Sequence, residues 1–250
     1  MLQAHIKNIW VKNNHNKKLL LKTIDFELVG GKVYTILGKN GSGKSTLIKS
    51  LTGLLNNNIF ITEGHVVFDN QDILSCNIVE LRKVRLNKIR YVFQDAANSF
   101  DPLKTIKYYF DNSSSTQKDV DDLLNYFLLP GYSHISTLYP YELSGGMAQR
   151  LGFVMTFLAW PQLIILDEPT SGIDYTITNL LLLRLREYVA KENGTVLIVT
   201  HDINFAEKVS DELAFLSDGT ITKFRVKKIF FTEKESEKLK IFMSAYAEVK

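Results

Sequence analysis

A glycine-rich stretch that ends in a lysine and two hydroxyl residues is the part of this chain best suited to chemistry. It reads Gly38-Lys39-Asn40-Gly41-Ser42-Gly43-Lys44-Ser45-Thr46. This spacing matches the pattern G-x-x-x-x-G-K-[ST] of phosphate-binding loops. An apolar run over residues 33–37 precedes the stretch, and leucines and isoleucines at helical spacing follow it. The stretch is therefore predicted to join a strand to a helix.

The residue types of this loop fit the binding of a nucleoside triphosphate. Glycines let the backbone approach an anion without a Cβ in the way, and N–H groups at a helix N-terminus face the phosphates. Lys44 can reach the β- and γ-phosphates, and the Ser45 hydroxyl can bind Mg²⁺. The alternative is a glycine-rich turn that happens to precede a helix, but strand, loop and helix all agree with the motif.

Polar residues follow three further predicted strands at the point where each strand ends. They are Asp167 and Glu168 after the apolar run 163–166, His201 after the run 195–200, and Gln94 after residues 90–93. Ligands of parallel α/β sheets gather at the C-terminal ends of the strands. We therefore expect these four side chains to meet near the phosphate loop.

Each of these side chains has a distinct expected role. Asp167 is the expected carboxylate on the metal side of the site, and Glu168 is placed to polarise an attacking water. His201 can hydrogen-bond the γ-phosphate or hold that water, and Gln94 can touch the metal, the water or both. Taken singly, an Asp-Glu pair before proline is often a helix start, and a histidine after a strand is often structural. Their common position beside the loop favours the functional interpretation.

Ser144-Gly145-Gly146 forms a second candidate anion site. A serine hydroxyl, two flexible backbone N–H groups and a helix N-terminus would all face the same ligand. One γ-phosphate does not need two such sites from a single chain, so the sequence predicts a head-to-tail pair of chains. The alternative is an ordinary capped helix start.

The elements that must position these residues alternate between strands and helices, which predicts an α/β fold with a mainly parallel sheet. Residues 1–37 are predicted to be strands, and Val66–Phe68 is predicted to be a strand after a turn at Glu63-Gly64. Apolar residues at helical spacing, with Leu128 last, predict an amphipathic helix within 96–143. In the tail, Leu239, Phe242, Met243, Tyr246 and Val249 predict a helix that either packs on the body or binds a partner.

Composition narrows the class of protein. The chain has 250 residues, 45% hydrophobic and 23% charged, as in an ordinary globular protein. A net charge of +3 is too weak to argue for a nucleic-acid partner. A single cysteine, Cys76, excludes an internal disulfide and suits a reducing compartment. Without a recognisable leader or a membrane-spanning apolar run, we expect any membrane role to depend on a partner.

Taken together, these motifs resemble the ATP-binding subunits of ATP-binding-cassette (ABC) transporters over about residues 1–224. The resemblance depends on the phosphate loop, the Gln94 loop, the signature Leu143-Ser144-Gly145-Gly146-Met147-Ala148-Gln149-Arg150, the strand with Asp167 and Glu168, the turn Ser171-Gly172-Ile173-Asp174, and His201. The signature is highly specific for this family.

The resemblance implies a single P-loop NTPase domain over 1–250. Its nucleotide-binding core, with an N-terminal antiparallel β subdomain, would comprise 1–95 and 144–224. An inserted α-helical subdomain would comprise 96–143, and a helical tail 225–250. It also implies ATP and Mg²⁺ as cofactors, with Ser45, Gln94 and Asp167 on the metal side and Asp174 near the nucleotide.

The resemblance further implies the partners. Two ATPase subunits, identical or paralogous, would close on two ATP molecules and open after hydrolysis. A groove near Gln94 would receive a helix of an integral-membrane permease at the cytoplasmic face of the cell membrane. An extracellular substrate-binding protein would act indirectly, and no nucleic acid would be involved.

A narrower resemblance is to the oligopeptide, dipeptide and nickel importer branch. It depends on Phe93-Gln94-Asp95-Ala96-Ala97-Asn98-Ser99-Phe100-Asp101-Pro102 and on Tyr139-Pro140-Tyr141-Glu142. The short C-terminal part favours the nickel and metallophore members. Two rivals remain open: a soluble ABC ATPase that is not a transporter, and a regulatory cassette that binds ATP without turning it over.

The chain departs from the family pattern at the position that usually stacks on adenine. An aromatic residue is expected there, but the aligned residue is Asn13, and by alternation Trp10 is expected to point into the sheet. Gly172-Ile173 stands where the family usually has alanine-leucine, and Ala96 stands where the branch has proline. What contacts the base is therefore left open.

Overall fold

The computed structural model describes residues 1–13, 16–96, 99–233 and 237–247. Two sheets and ten helices carry the fold within these ranges. The strands are β1 (Leu2–Asn13), β2 (Asn16–Leu28), β3 (Val33–Leu37), β4 (Phe60–Phe68), β5 (Gln71–Asp72), β6 (Ile89–Val92), β7 (Leu163–Asp167), β8 (Thr195–Thr200), β9 (Glu212–Ser217), β10 (Thr220–Ile221) and β11 (Arg225–Val226). The helices are α1 (Lys44–Leu51), α2 (Ile78–Asn87), α3 (Ile106–Asp111), α4 (Gln117–Tyr126), α5 (Tyr132–Ile135), α6 (Gly145–Leu158), α7 (Tyr175–Glu192), α8 (Ile203–Val209), α9 (Lys227–Glu233) and α10 (Glu237–Ala247).

The larger sheet is mainly parallel and carries the functional residues at one edge. Its strand order is β10-β9-β3-β8-β7-β6, with β11 also paired to β9. The pairs among β3, β6, β7, β8 and β9 are parallel. All residues of β3, β7 and β8 are buried, as expected for strands covered on both faces. The predicted α/β fold with a mainly parallel sheet is confirmed.

The smaller sheet is antiparallel, in the order β2-β1-β4-β5. Ile24, Phe26 and Leu28 are buried on its inner face and alternate with exposed residues along β2. The predicted turn at Glu63-Gly64 is wrong, because both residues lie inside β4. Gly64 pairs with Ile6 beside a register shift, with φ +133, and a Cβ there would lie only 2.1 Å from the carbonyl oxygen of His5. The glycine permits a bulge in this strand rather than a chain reversal.

Helices α3, α4 and α5 and a 3₁₀ turn at Pro140–Glu142 lie between β6 and α6. Phe127, Phe153 and Phe157 pack together beneath them, with ring centroids 5.7 and 6.0 Å apart. The predicted amphipathic helix is α4, but Leu128 is exposed and lies beyond its end with φ +53. Leu128 is therefore not part of the buried face.

Helix α2 is not predicted by the sequence pattern. Asn77 and Glu80 form a capping box at its start, and Val84 is its one buried residue. A helix that is exposed on nearly all sides has no strong apolar period to reveal it. No described helix is long and apolar enough to cross a lipid bilayer.

The tail helices pack on the edge of the parallel sheet. Leu239 and Phe242 of α10 are buried with Phe230 of α9, and the ring of Phe242 lies 5.3 Å from that of Phe215 in β9. The interpretation of the tail as a helix packed on the body therefore holds for Leu239 and Phe242. Val249 and the side chain of Tyr246 lie outside the described part of the chain.

We predict that Phe242→Ala destabilises the docked tail by about 3–5 kcal/mol, the usual cost of truncating a buried phenylalanine to alanine. The neighbouring Ile241 is exposed, so Ile241→Ala should change stability by less than about 0.5 kcal/mol. Hydrogen exchange of the α10 amides, compared between the two variants, measures the difference. Equal protection in both would contradict the packing of α10 on β9.

Candidate nucleotide-binding site

The glycine-rich loop joins β3 to α1 as its motif predicts. Gly41 has φ +76 and Gly43 has φ +100, a region in which residues with a Cβ are strained. A Cβ on Gly43 would also lie 2.8 Å from Cδ2 of Leu21 in β2. The antiparallel sheet thus packs directly beneath the loop, and the first N–H groups of α1 point out of the loop at the helix N-terminus.

Lys44 is buried at the centre of the loop, with its ammonium group turned inward. Nζ donates hydrogen bonds to the carbonyl oxygens of Gly38 (2.8 Å) and Lys39 (3.1 Å). It also lies 3.0 Å from Oε1 of Glu168. Since both partners of this ion pair are buried, their mutual attraction is little screened by water. These contacts keep the Lys44 ammonium group at the position where the motif would bind phosphate oxygens.

Asp167 ends β7 in a buried position and is held by two hydroxyl groups. Ser45 Oγ donates to Oδ1 at 3.2 Å, and Tyr91 Oη donates to Oδ2 at 2.9 Å. Burial raises the pKa of the Asp167 carboxyl above its usual value, and the two hydrogen bonds partly offset this rise. Burial also raises the pKa of Tyr91, so its hydroxyl stays protonated and remains a donor at neutral pH.

Glu168 follows with φ +48, an uncommon conformation for a residue that is not glycine. Its Oε2 accepts hydrogen bonds from Thr200 Oγ1 (2.9 Å), from the backbone N–H of His201 (3.2 Å) and from the His201 ring at Nδ1 (2.9 Å). The end of β8 thereby fixes one carboxylate oxygen, and the other faces Lys44.

Two adjoining cavities open onto these groups. One, of about 320 Å³, is lined by residues of the phosphate loop together with Gln94, Glu168 and His201. The second, of about 300 Å³, is lined by Ser45, Gln94 and Asp167 among others. All four residues predicted to meet at the strand ends therefore lie around the loop, and Gln94 borders both cavities.

Ser144 and Gly145 are exposed and lie outside the residues that line the loop cavity. The Ser144 side chain caps α6 by accepting a hydrogen bond from the N–H of Met147 at 3.2 Å. A Cβ on Gly146 would lie 3.6 Å from the carbonyl oxygen of Gly172, so the two turns are neighbours. Asp174 caps α7 by accepting from the N–H of Ile177, which gives it a structural role within this chain.

A further cavity opens beside the phosphate loop. A cavity of about 670 Å³ lies between Lys39–Ser42, Lys18–Leu20 of β2 and the 215–219 hairpin, with Lys238 and Ile241 of α10 on its rim. The side chain of Asn13 lies outside the described part of the structure. Trp10 is half-buried while Ile9 is fully buried, so Ile9 supplies the core contact that alternation assigned to Trp10.

The oxygen donors of this site suit magnesium. The Ser45 hydroxyl, the Asp167 carboxylate and the Gln94 amide are hard ligands, and Mg²⁺ usually completes its shell with water and substrate phosphates. Among the described residues there is no group of three acidic, histidine or cysteine side chains that would hold a metal without a nucleotide. Ser45 and Asp167 would thus hold Mg²⁺ together with a bound nucleotide.

Two residues of the site were missed by the sequence analysis. Tyr91 was recognised only as part of a strand, and Thr200 only as the last residue of one. Both point at a carboxylate because β6 and β8 flank β7. The sequence feature that could have identified them is a hydroxyl-bearing residue at or near the end of a buried strand.

Comparison with known proteins decides the family. The model of the family described as ABC transporter matches residues 21–171, more than half of the chain. The chain belongs to this family. This agrees with the resemblance in its motifs to the ATP-binding subunits of the family.

Two curated relatives and one solved structure are informative. The metal-staphylopine import system ATP-binding protein CntD of Staphylococcus aureus is 32% identical over 226 residues, covering 86% of this chain and 83% of that protein. The oligopeptide transport ATP-binding protein AmiE of Streptococcus pneumoniae is 30% identical over 84% of this chain. This match spans 62% of the pneumococcal protein's length. The dimeric ATP-binding cassette MJ0796, bound to ADP and Pi in a post-hydrolysis state, superposes with a TM-score of 0.77 at 26% identity. That superposition covers 91% of this chain and 99% of the other.

We predict that Asp167→Asn stabilises the ligand-free protein at neutral pH. Because burial raises the pKa of Asp167 above 3.8, the ionised form is costly in the fold. The neutral amide, which carries no charge to bury, should therefore raise the unfolding midpoint at pH 7. The gain should vanish near pH 3, where the carboxyl is protonated in both states. Thermal unfolding against pH measures it, and a lower midpoint for the variant at pH 7 would contradict the burial argument.

Proposed function

We propose that this protein binds ATP with Mg²⁺ and hydrolyses it to power an importer of oligopeptides or of metal–metallophore complexes, nickel included. The observation that carries the proposal is the convergence of Lys44, Asp167, Glu168 and His201 on one side of the phosphate loop. Residues from three separate strand ends meet there in the roles that phosphoryl transfer requires.

Lys44 and Glu168 change partners when ATP binds. In the ligand-free chain the Lys44 ammonium is satisfied by two loop carbonyls and by Glu168 Oε1. Phosphate oxygens are stronger acceptors than neutral carbonyls, so Lys44 turns to the β- and γ-phosphates. This exchange frees Oε1 of Glu168, while Oε2 stays fixed by Thr200 and His201.

The freed oxygen of Glu168 then orients water for in-line attack on the γ-phosphate. His201, whose ring is partly exposed and bonded to Glu168, holds the γ-phosphate or the same water from the other side. Magnesium, when bound, draws charge from the β- and γ-oxygens. Ser45 and Asp167 would hold it, and Gln94 lines both cavities of the site.

A second ATPase subunit completes each site. Ser144 and Gly145 are exposed, and the 144–146 turn lies outside the lining of its own chain's loop cavity. Since an exposed helix N-terminus with a serine suits an anion, the turn covers the γ-phosphate bound by the partner subunit. Asp174, on the neighbouring turn, lies at the same interface. The similar MJ0796 cassette is dimeric with ADP and Pi bound, which supports this arrangement.

The remaining partners follow from the named relatives. The S. aureus relative is named for metal-staphylopine import and the pneumococcal one for oligopeptide transport. A subunit of such a system acts at the cytoplasmic face of the membrane on permease subunits, with an extracellular substrate-binding protein upstream and no nucleic acid. Co-purification with membrane permeases encoded nearby, followed by ATP-dependent uptake of labelled peptide or nickel–metallophore complex into vesicles, tests this. A soluble nucleic-acid complex in their place would overturn the assignment.

We predict that Glu168→Gln keeps nucleotide affinity and accumulates an ATP-bound dimer, because the amide retains the size of the side chain but cannot accept a proton from water. Turnover should fall at least about a hundredfold, the lower range for loss of a general base. Phosphate release and size-exclusion chromatography with ATP measure the two effects. Glu27→Gln, on the exposed face of β2, is the control, and undiminished turnover in Glu168→Gln would remove this role.

We predict that Ser144→Arg abolishes hydrolysis without weakening ATP binding to the monomer, because the bulky cation would block the partner's γ-phosphate. Thr116→Arg is the matched control, since Thr116 is also an exposed N-cap that accepts from its helix. Nucleotide binding by fluorescence and steady-state phosphate release separate the two steps. Normal hydrolysis in Ser144→Arg would show that the second anion site is not used.

A further inference from the structure

The side chain of Tyr91 contacts both Asp167 and the residue that precedes Gln94. Its hydroxyl bonds Asp167, and its ring packs edge-on against Phe93, the residue before Gln94, with centroids 4.2 Å apart and planes at 76°. We propose that Tyr91 is a positioning residue that sets the metal-binding geometry of Asp167 and links it to the Gln94 loop. The inference rests on the proposed function, because it assumes that Asp167 serves a metal–nucleotide complex.

The geometry of Asp167 leaves it dependent on Tyr91. Its two carboxylate oxygens are held by different hydroxyls, Oδ1 by Ser45 and Oδ2 by Tyr91. Ser45 is itself an expected metal ligand, and its hydroxyl would turn from Oδ1 toward Mg²⁺ if the metal bound. The Tyr91 hydroxyl is then the remaining protein group that fixes the rotation of the carboxylate, as outer hydrogen-bond partners do at other metal sites.

Tyr91 is held in place through its backbone, and its ring contacts the residue that precedes Gln94. Its backbone lies in β6, in register with Ile165 of β7, so the base of the side chain cannot move independently of Asp167. Its ring meets Phe93, and the cavity of about 300 Å³ has Phe93, Gln94 and Asp167 in the same lining. A shift of the Gln94 loop therefore presses on the Tyr91 ring and moves the hydroxyl that holds Asp167.

A purely structural tyrosine would behave differently. The ring also packs against the core beneath the antiparallel sheet, and phenylalanine would keep that packing. Only the hydroxyl distinguishes the positioning role from the packing role. Tyr91→Phe, which removes one oxygen atom, separates them.

The experiment uses Mn²⁺ in place of Mg²⁺, because free Mn²⁺ can be counted by its electron paramagnetic resonance signal without any turnover. The full-length protein is titrated with Mn²⁺ in the presence of saturating ADP, and metal-free ADP affinity is measured separately by fluorescence. Tyr126→Phe is the matched control, since the Tyr126 hydroxyl donates to the Leu180 carbonyl, away from the site. Thermal unfolding confirms that both variants are folded.

We expect Tyr91→Phe to weaken Mn²⁺ binding by about three- to tenfold, the lower range for loss of an outer hydrogen-bond partner, with metal-free ADP affinity unchanged. Tyr126→Phe should leave both constants at their wild-type values. Phe93→Leu, which keeps the Tyr91 hydroxyl but loosens its ring, should give a smaller weakening. Equal Mn²⁺ affinity in wild type and Tyr91→Phe would overturn the inference. A wild-type protein that binds neither ADP nor Mn²⁺ would instead overturn the proposed function.

Discussion

The site depends on two adjacent carboxylates kept out of water at the end of one strand. Asp167 and Glu168 are both buried, and an unpaired buried charge is very costly. The surrounding structure meets this cost with a separate set of partners for each: Lys44, Thr200 and His201 for Glu168, and Ser45 and Tyr91 for Asp167. The five partners come from three segments, namely the phosphate loop, β6 and the end of β8, so all three must be in place before both acids are stable.

This requirement explains the order of strands in the parallel sheet. Strand β7 lies between β6 and β8, and β8 lies between β7 and β3. The tyrosine of β6 and the threonine of β8 can therefore reach the acids from opposite sides. The antiparallel sheet packs against the phosphate loop, where Leu21 fills the space that a side chain on Gly43 would need. The nucleotide site is thus a product of both sheets, although its polar residues lie on only one.

Much of the fold and of the candidate site could be predicted from local sequence patterns. The features that were missed or misinterpreted show which information such patterns do not contain. Buried strands such as β3, β7 and β8 are continuous apolar runs, and the glycine loop is a motif with its own structural context, so both were recognised. Helix α2 was missed because it buries one residue, and Gly64 was misinterpreted because a bulge glycine and a turn glycine look alike in sequence. The contacts of Tyr91 and Thr200 depend on which strands are neighbours, and no spacing along the chain contains that information.

The backbone of Glu168 has one further consequence. Its φ of +48 is a conformation that asparagine and glycine adopt with less strain than glutamate. The fold therefore holds Glu168, the proposed water-activating residue, in a backbone conformation that asparagine or glycine would adopt with less strain. Selection for stability alone would favour replacing this glutamate, so its presence at a strained position agrees with the role proposed for it.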